Sequence, residues 1–527
     1  MIRVRQIKVD IRKDSFDYLK KKIIDKLRIH EHELEKLIIV KKSIDARDKN
    51  NILYVYEVNV ILKNEKKVIK KNLKDIEVIN EINYSIKTMG IEKLKNRPII
   101  VGSGPCGLFA TLILAEKGYF PLLLERGERV EERKKSVEKF WNDGILNKES
   151  NVAFGEGGAG TFSDGKLNTL INDKEARIKK IFDTFIECGA NSEISISNKP
   201  HIGTDVLEKV IINLRNKIIN LGGEIRYNTC LTDIGVEDNK ISSIIVNNNE
   251  KIECDCLILA IGHSAKDTIK MLYDKGLKMD SKSFAVGVRV QHKQDLINKS
   301  QYGEFSSILP PASYKLTFNK DNRGVYSFCM CPGGYVVNSS VEDDHLIING
   351  MSYNKRDSEN ANSAIVVTVS KEDFGFAPLD GLEFQRKLEN LAYIKGKGKI
   401  PVQLYGDFKQ NVISTKFGKV KPLFKGDYSF ANLNEIFPVY INEYLKEGIE
   451  YFGTKIKGFN SFDVILAGVE SRTSSAVKIE RNDNFVSNIL GIYPSGEGAG
   501  YSGGIITSAL DGIKVAEKII EKYSNKL

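Results

Sequence analysis

The chain has 527 residues, of which 41% are hydrophobic and 28% are charged, and its formal net charge at pH 7 is +10. This length exceeds what a single hydrophobic core serves, so two or three domains are expected. The composition is that of an ordinary globular protein, and it excludes a membrane-spanning helix, because no apolar run approaches the roughly 20 residues that one requires.

Cysteine usage and the first residues of the chain both indicate a cytoplasmic location. The seven cysteines are odd in number and scattered, and they form no C-x-x-C pair of the zinc-binding type. Reduced thiols of this kind fit a cytoplasm best. The chain begins without an apolar signal core. We therefore expect a cytoplasmic protein with no metal site and no membrane partner.

Residues 1–92 are expected to form a small basic α+β domain. Strand-like alternation at 2–9, helical spacing at 18–27 and two further strands at 37–43 and 53–62 give a β-α-β-β pattern. This order is typical of a small ferredoxin-like domain.

The positive charge is concentrated in this N-terminal part. The first 95 residues contain 24 lysines and arginines against 15 aspartates and glutamates, so the rest of the chain is close to neutral. Such asymmetry leaves two interpretations open, an acidic partner such as RNA or a lysine-rich solvated surface.

Residues 96–280 begin with the pattern of a dinucleotide-binding unit. The apolar run 99–101 predicts a buried parallel strand, and Gly102, Gly104 and Gly107 follow in the GxGxxG spacing before a helix. The first glycine permits a sharp turn, the second lets a pyrophosphate approach the backbone, and the third lets the helix pack on the strand. The helix N-terminus then offers free N–H groups to the phosphates.

Three further segments extend this unit. Glu125 ends the next apolar strand, 23 residues after Gly102, where an acid can hold ribose hydroxyls. The glycine-rich run 155–168 predicts a loop whose backbone comes close to a ligand. Gly262 ends a turn after another buried strand and predicts a second close approach.

Residues 281–460 are expected to form an inserted, sheet-rich substrate domain, because short strands alternate there with Gly, Pro and Asn turns. Residues 461–527 are expected to return to the first domain and complete it. Glu497 can place a carboxylate on a polyol hydroxyl, and Gly503 and Gly504 precede an amphipathic helix.

These pieces together favour FAD over a nicotinamide cofactor. NAD needs only the glycine loop and the acid, whereas FAD also needs a polyol contact and a positive group near its ring. A reduced flavin carries negative charge along its pyrimidine edge, which a helix N-terminus stabilises by roughly 0.3–1 kcal/mol where it is exposed.

Several segments carry a resemblance to one family. They are residues 42–47, 101–107, 125–127, 155–166, 199–204, 256–264, 329–334 and 491–504. They resemble the uncharacterised bacterial FAD-dependent, or NAD(FAD)-utilising, dehydrogenases of the glutathione-reductase and succinate-dehydrogenase-like flavoproteins. The resemblance implies an α/β fold with an FAD-binding Rossmann-like domain and an FAD-dependent oxidoreductase acting on a small molecule through non-covalent FAD. It names no substrate.

The resemblance also assigns cofactor-binding residues. Around the adenosine diphosphate half it places Gly102, Ser103, Gly104, Pro105, Cys106, Gly107, Glu125 and Arg126. Along the phosphates, ribityl chain and ring it places Gly158, Ala159, Gly262, Glu497, Gly503, Gly504 and Ile505. Arg133, in the charged helix after the acid, and Gly496 complete the candidate set.

Candidate reactive groups are fewer. Lys166 can bind an anionic substrate or the flavin, or serve as a surface ion-pair partner. His292 is a candidate for proton transfer at neutral pH. Cys329 and Cys331 share a strand face, either as a redox pair or as two packed thiols. Arg472 can clamp a carboxylate.

The electron donor is open. After Gly107 we find no second strand followed by GxGxxG and a helix, so NAD(P)H is expected only as a transient donor at the open flavin face. Two alternatives to an oxidoreductase remain, a flavoprotein that docks on RNA through its N-terminal domain and a non-catalytic flavin-bound redox sensor.

Overall fold

The structure is a computed structural model that describes residues 1–525, so the last two residues of the expected C-terminal segment lie outside it. The N-terminal elements are β1 (Ile2–Asp10), α1 (Phe16–Leu27), β2 (Leu34–Asp45), β3 (Leu53–Leu62), α2 (Glu65–Ile69) and β4 (Ile76–Val78). The strands form one antiparallel sheet in the order β2-β3-β1-β4, the order of a ferredoxin-like fold. Leu19 and Ile23 of α1 are buried against Val58 and Val60 of β3.

This sheet contacts the rest of the chain through its edge strand β2. The Lys42 N–H donates to the Ile196 carbonyl at 2.7 Å, and the Asn198 N–H donates to the Lys42 carbonyl at 3.0 Å. Because these bonds use the backbone, they attach the small domain in one register without depending on its surface charge.

The junction between the first two expected domains packs against the second of them. β5 (Glu92–Lys93) pairs in parallel with β26 (Tyr523–Ser524). Tyr84 and Ile86 pack against the apolar core of the following domain. The residues just before 92 and the short strand that begins there are therefore both fixed by contacts with the second domain.

A five-stranded parallel sheet lies at the centre. Its strands are β6 (Ile99–Val101), β7 (Leu122–Leu124), β8 (Glu224–Arg226), β12 (Leu257–Leu259) and β25 (Ile492–Pro494). Their order is β25-β12-β6-β7-β8, with every pair parallel. β6, β7 and β12 are wholly apolar because both faces of the sheet are covered.

Helices cover one face of this sheet and a small antiparallel sheet covers the other. The helices of this face are α3 (Pro105–Glu116), α4 (Val130–Asp143), α5 (Arg177–Glu187), α6 (Thr204–Asn220) and α13 (Ile505–Lys522), and α7 (Lys266–Asp274) packs on the other face. The covering strands are β9 (Leu231–Glu237), β10 (Lys240–Val246) and β11 (Glu250–Glu253). Ile100, Leu123 and Ile258 face the helices, whereas their strand neighbours face the other core.

The chain between β12 and β25 builds a second large sheet. Its strands are β14 (Phe284–Lys293), β15 (Thr317–Lys320), β16 (Arg323–Cys331), β19 (Asn360–Val369), β20 (Ile400–Leu404), β22 (Tyr428–Phe430) and β23 (Ile465–Glu470). They run in the order β15-β16-β19-β14-β23-β20-β22. Since β23 is a central strand, the sheet extends past the expected boundary at residue 460.

Smaller elements surround this sheet. The helices are α8 (Gln294–Tyr302), α9 (Lys371–Phe374), α10 (Asp380–Gly396), α11 (Tyr405–Gln410) and α12 (Val439–Lys455). The remaining strands are β13 (Met279–Ser281), β17 (Tyr335–Asn338), β18 (Ile348–Met351), β21 (Phe424–Lys425) and β24 (Val477–Ile479). Within residues 1–525, no helix combines the length and the apolarity needed to cross a bilayer.

Candidate functional site

A cavity of about 420 Å³ lies where the parallel sheet meets the second sheet. The loop after β6, the glycine-rich loop and the segment after β12 form one wall, together with the N-terminus of α13. Phe328, Cys329 and Glu470 contribute from the second sheet, and Asn349 contributes from β18. Because β6 and β12 are adjacent parallel strands, their carboxyl ends open at the same edge, which is where such sheets bind ligands.

Most of the candidate residues line this cavity. They are Gly102, Ser103, Gly104, Pro105, Cys106, Glu125, Arg126, Gly158, Ala159, Lys166, Gly262, Cys329, Arg472, Glu497, Gly503, Gly504 and Ile505. The candidates outside the cavity lining are Gly107, Arg133, His292, Cys331 and Gly496.

The glycines of the first loop have different roles. Gly102 has φ +101°, and an added Cβ would lie 2.3 Å from the Ala260 carbonyl oxygen. At Gly107 an added Cβ would lie 1.8 Å from the Gly102 carbonyl oxygen. These two glycines are therefore required by the packing of helix on strand. At Gly104 the nearest atom to an added Cβ is the Gly158 Cα at 3.8 Å, so this position faces open space.

Two further glycines leave an open strip along the cavity. An added Cβ would meet nothing within 4 Å at Gly262 or at Gly503. Helix α13 begins just after, and its N-cap residue Gly504 has no side chain to cap the first turn. The first N–H groups of α13 are thus available at the cavity wall, together with the positive end of the helix dipole.

The Glu125 carboxylate binds the protein's own loops. Oε2 accepts from the Ser103 N–H at 2.8 Å and from the Ser103 hydroxyl at 2.6 Å. Oε1 accepts from the N–H groups of Gly127 at 2.9 Å and Gly155 at 3.0 Å. Four donors occupy the acceptor positions of one carboxylate. Glu125 therefore joins three loops at the cavity wall, and its expected contact with a ribose stays a prediction.

Arg126 is likewise engaged by the protein. Its guanidinium donates to Glu149 at 2.8 Å and to Asp267 at 2.9 Å, and it lies 4.2 Å from the Phe154 ring centroid. Burial opposes its charge, but hydrogen bonds to the two carboxylates raise the pKa of Arg126 overall. Arg126 therefore forms part of the cavity wall, and the two carboxylates hold its positive charge in place.

Arg133 was expected to bind the cofactor, but it lies behind the glycine-rich loop. Its side chain is fully buried. The guanidinium donates to backbone carbonyls of Asn151, Val152, Gly155, Glu156 and Gly158. Burial lowers the pKa of Arg133 to about 10. This residue shapes the loop from outside the cavity.

Cys106 and Gly496 belong to one packed corner. The Cys106 thiol shares a hydrogen bond with the Ser495 hydroxyl at 2.9 Å, and burial raises its pKa well above the usual range. The Gly496 N–H donates to Asp511 Oδ2 at 2.7 Å. Cys106 thus packs as expected of a small residue, and Gly496 turns the chain so that Glu497 reaches the cavity.

The Glu497 carboxylate is more available to a ligand than that of Glu125. Its side chain is partly exposed, and its Oε1 lies 3.3 Å from His263 Nδ1. Both residues line the cavity. A carboxylate with a single neighbouring polar group retains capacity to accept a hydroxyl group.

The Lys166 ammonium lies at the end of the cavity formed by the second sheet. Its Nζ donates to the Met330 carbonyl and is 3.0 Å from Asp164 Oδ2. Asp164 is buried and also accepts from Arg356 Nε at 3.0 Å. Burial alone would lower the pKa of Lys166, but Asp164 and the nearby thiols raise it above the ordinary value.

Cys329 and Cys331 occupy a bulge. The register between β16 and β19 shifts between residues 328 and 331, and Cys329 has a left-handed backbone with φ +45°. Both cysteines are free thiols, and the Cys331 thiol donates to the Cys329 carbonyl oxygen at 3.3 Å. The bulge places Cys329 on the cavity wall and Cys331 behind it.

A buried ion pair supports this bulge and was not among the sequence candidates. Arg289 donates to Glu470 Oε2 at 2.8 Å and Oε1 at 3.2 Å. It also donates to the Cys329 carbonyl at 3.3 Å and to Asn362 Oδ1 at 2.6 Å. Burial raises the pKa of Glu470 above its ordinary value. An arginine inside the apolar strand 284–290 is the sequence signal for such a pair.

Arg472 is held by an acid that sequence reasoning did not identify. Its Nε and Nη2 donate to Glu389 at 2.9 Å each, and Lys266 donates to the same carboxylate at 2.9 Å. Arg472 Nη1 is buried without a hydrogen-bond partner among the described residues. The clamp expected for a substrate carboxylate is therefore mostly occupied by Glu389.

His292 does not belong to the cavity. Its side chain is buried against Phe459, with Nε2 2.8 Å from the Phe459 carbonyl oxygen. Burial lowers the pKa of His292 to about 4. The expected role in proton transfer is not supported by this position, because the ring packs away from the cavity lining.

Comparison with known proteins defines the class. Residues 283–473 match the model of a family described as FAD-dependent protein, C-terminal domain-like. Residues 1–61 match a family described only as a domain of unknown function. The first match confirms the general class that the motifs predicted, an FAD-dependent protein.

An uncharacterised protein of Clostridium beijerinckii is 51% identical over 533 residues, which cover 99% of each chain. The chain belongs to the same family as this clostridial protein. Among solved structures, CtdE in complex with FAD is 12% identical, with 81% of this chain and 83% of that chain covered and a TM-score of 0.32. Glycine oxidase from Bacillus cereus is 12% identical, with 81% and 95% covered and a TM-score of 0.30.

Proposed function

We propose that this protein is an FAD-dependent oxidoreductase that holds FAD non-covalently in the cavity and acts on a small molecule. The observation that carries the proposal is the open strip of backbone at Gly104, Gly262 and Gly503. At each of them an added Cβ would have no protein atom closer than 3.8 Å. Packing within the protein requires none of these glycines, and only Gly262, with φ +72°, has a backbone that favours glycine by itself. A pyrophosphate and a ribityl chain along the backbone would require residues without side chains at Gly104 and Gly503.

The residues around the strip suit the parts of FAD. The loop at Gly104 and the first turn of α3 would hold the pyrophosphate. Glu497, supported by His263, would accept a ribityl hydroxyl. The N-terminus of α13 would face the anionic edge of the ring. When bound, the flavin supplies two-electron transfer.

The second sheet would supply the substrate side. Cys329 and Glu470 meet the cavity from this sheet, and Lys166 lies beside them. Lys166 can orient an anionic group beside the buried ion pair of Arg289 and Glu470. Covering the site with this sheet would exclude water from the reacting atoms.

The purified protein is expected to be yellow and to release FAD on denaturation in about a one-to-one ratio with protein. Visible absorption before denaturation and chromatography of the released cofactor measure both quantities. FMN in place of FAD, or a colourless protein that takes up no FAD on incubation, would contradict the proposal.

NAD(P)H, as electron donor, is proposed to bind only transiently. The sequence contains one strand-GxGxxG-helix unit, and its loop already serves the FAD site in this proposal. Titration of the oxidised protein with a non-reducible NADPH analogue is expected to show weak binding. A dissociation constant in the micromolar range or below, about −8 kcal/mol or stronger, would reveal a nicotinamide site and reject this part.

The RNA alternative gains no support from the N-terminal sheet. RNA-binding domains with a four-stranded sheet stack bases on aromatic side chains of the open sheet face. Tyr54 and Tyr56 of β3 instead pack with the helix-facing core. The opposite face of β3 presents Val55, Glu57 and Asn59.

A further inference from the structure

We propose that Cys329 is a nucleophilic thiol of the cavity, held as its thiolate by the Lys166 and Arg289 side chains. The thiolate would react with soft electrophiles that enter the cavity. This inference concerns the same cavity as the proposed FAD site, but it is tested by a readout that does not depend on flavin.

The backbone around Cys329 is built to present this thiol. The bulge in β16 turns residue 329 into the left-handed region and out of the strand alternation. Lys166 Nζ binds the Met330 carbonyl, and Arg289 Nη1 binds the Cys329 carbonyl at 3.3 Å. Arg289 Nη1 also lies 3.9 Å from the Cys331 sulfur. Two cations therefore contact the bulge, and Cys329 is the cysteine of the bulge that lines the cavity.

The charges that face Cys329 leave a cation in excess. The groups that act on it are Cys331, Lys166, Arg289, Asp164 and Glu470. Asp164 is shared between Lys166 and Arg356. Glu470 is paired with Arg289, so these two carboxylates face three cations. A thiolate at Cys329 would supply the missing negative charge.

The direction in which the pKa of Cys329 is shifted agrees with this excess of positive charge. The neighbouring Cys331 thiol, together with the Lys166 and Arg289 charges, holds the pKa of Cys329 below its usual range, while burial and Asp164 oppose them. The partner thiol Cys331 has its pKa raised well above the usual range. Cys329 is thus expected to be ionised at neutral pH, and Cys331 to remain a thiol donor.

Cys230 provides an internal reference. It also lines the cavity and is similarly half-buried. Its thiol lacks the bulge and the lysine, and burial raises its pKa to about 11. Access to the cavity is common to both cysteines, so a difference in reactivity reports ionisation.

The experiment is alkylation of the full-length protein as purified with iodoacetamide, followed by peptide mass spectrometry. The sulfur of Cys329 forms a bond to the methylene carbon, the carbon–iodine bond breaks and iodide leaves. At pH 7 we expect Cys329 to be modified at least about ten times faster than Cys230, with a rate that changes little down to about pH 6. Flavin content is measured in the same sample by absorption, so a missing cofactor counts against the proposed function alone.

Two substitutions test whether Lys166 is the group that lowers the pKa of Cys329. Lys166→Gln is expected to move the pH midpoint of Cys329 alkylation upward by about one unit or more. Lys199→Gln is the matched control, because Lys199 bonds the Ser313 hydroxyl at 2.9 Å outside the cavity lining, and it should leave the midpoint in place. Circular dichroism verifies that both variants fold.

The proposal is overturned if Cys329 reacts no faster than Cys230, or if its midpoint lies at or above the ordinary thiol value of about 8.5. A folded Lys166→Gln protein with an unchanged midpoint would also overturn it. If Lys166→Gln does not fold, the wild-type pH profile decides by itself.

Discussion

Gly104→Val is expected to give a folded protein that retains no FAD. The added side chain would point into the cavity, where the nearest atom to its Cβ is the Gly158 Cα at 3.8 Å, so the fold accommodates it. The branched methyl groups would occupy the space that a pyrophosphate needs against the backbone. Flavin content per mole of purified protein measures the effect, and we expect it to fall by at least about tenfold, or 1.4 kcal/mol in binding free energy.

Gly107→Val is the contrasting variant in the same loop. Its Cβ would lie 1.8 Å from the Gly102 carbonyl oxygen, so the helix would have to leave the strand. This protein should fail to fold, as circular dichroism and solubility would show. Full flavin retention in Gly104→Val would remove the pyrophosphate from this loop.

Arg133→Met is expected to destabilise the protein strongly, although residue 133 does not line the cavity. The guanidinium donates to five backbone carbonyls of residues 151–158, of which those of Gly155 and Gly158 also accept from backbone N–H groups. Each buried acceptor that is left unpaired costs about 1–3 kcal/mol. We expect the free energy of unfolding to fall by at least about 3 kcal/mol, measured by urea denaturation of the flavin-free protein.

Lys134→Met is the control for this change, one residue further along α4. Lys134 is half-exposed and its contact is a surface ion pair with Glu208 at 2.9 Å. Such pairs contribute about 0–1 kcal/mol. If Arg133→Met lowers flavin affinity but leaves the stability of the flavin-free protein unchanged, then Arg133 acts on the cofactor and does not support the glycine-rich loop.

Local pattern was sufficient for several elements of the site. The strand at 99–101, the spacing of Gly102 and Gly107, and the helix that begins at residue 505 depend on neighbouring residues, and the structure has all of them. The general class, an FAD-dependent protein, is confirmed by the family match over residues 283–473. The assignments of individual cofactor and substrate contacts stay predictions.

Roles that depend on distant partners were not predictable in the same way. Glu125 has the expected position, but the donors that occupy it come from Ser103 and Gly155, on the loops before and after it in the chain. Arg472 can bind a carboxylate, as expected, but the carboxylate that it binds in the structure is that of Glu389 on α10. Sequence spacing predicts the backbone position of a residue. It does not predict which distant groups contact its side chain in the folded protein.

The sequence by itself determined the parallel sheet with its glycine loop, because sterics of a strand-to-helix turn admit few residue types. Only the tertiary structure decided which polar groups remain free for a ligand. His292 is buried against Phe459, whereas a bulge at Cys329 is contacted by two cations, Lys166 and Arg289, that are distant from it in the chain. The physical reason is that burial and charge pairing depend on contacts between segments far apart in sequence, which no local pattern encodes.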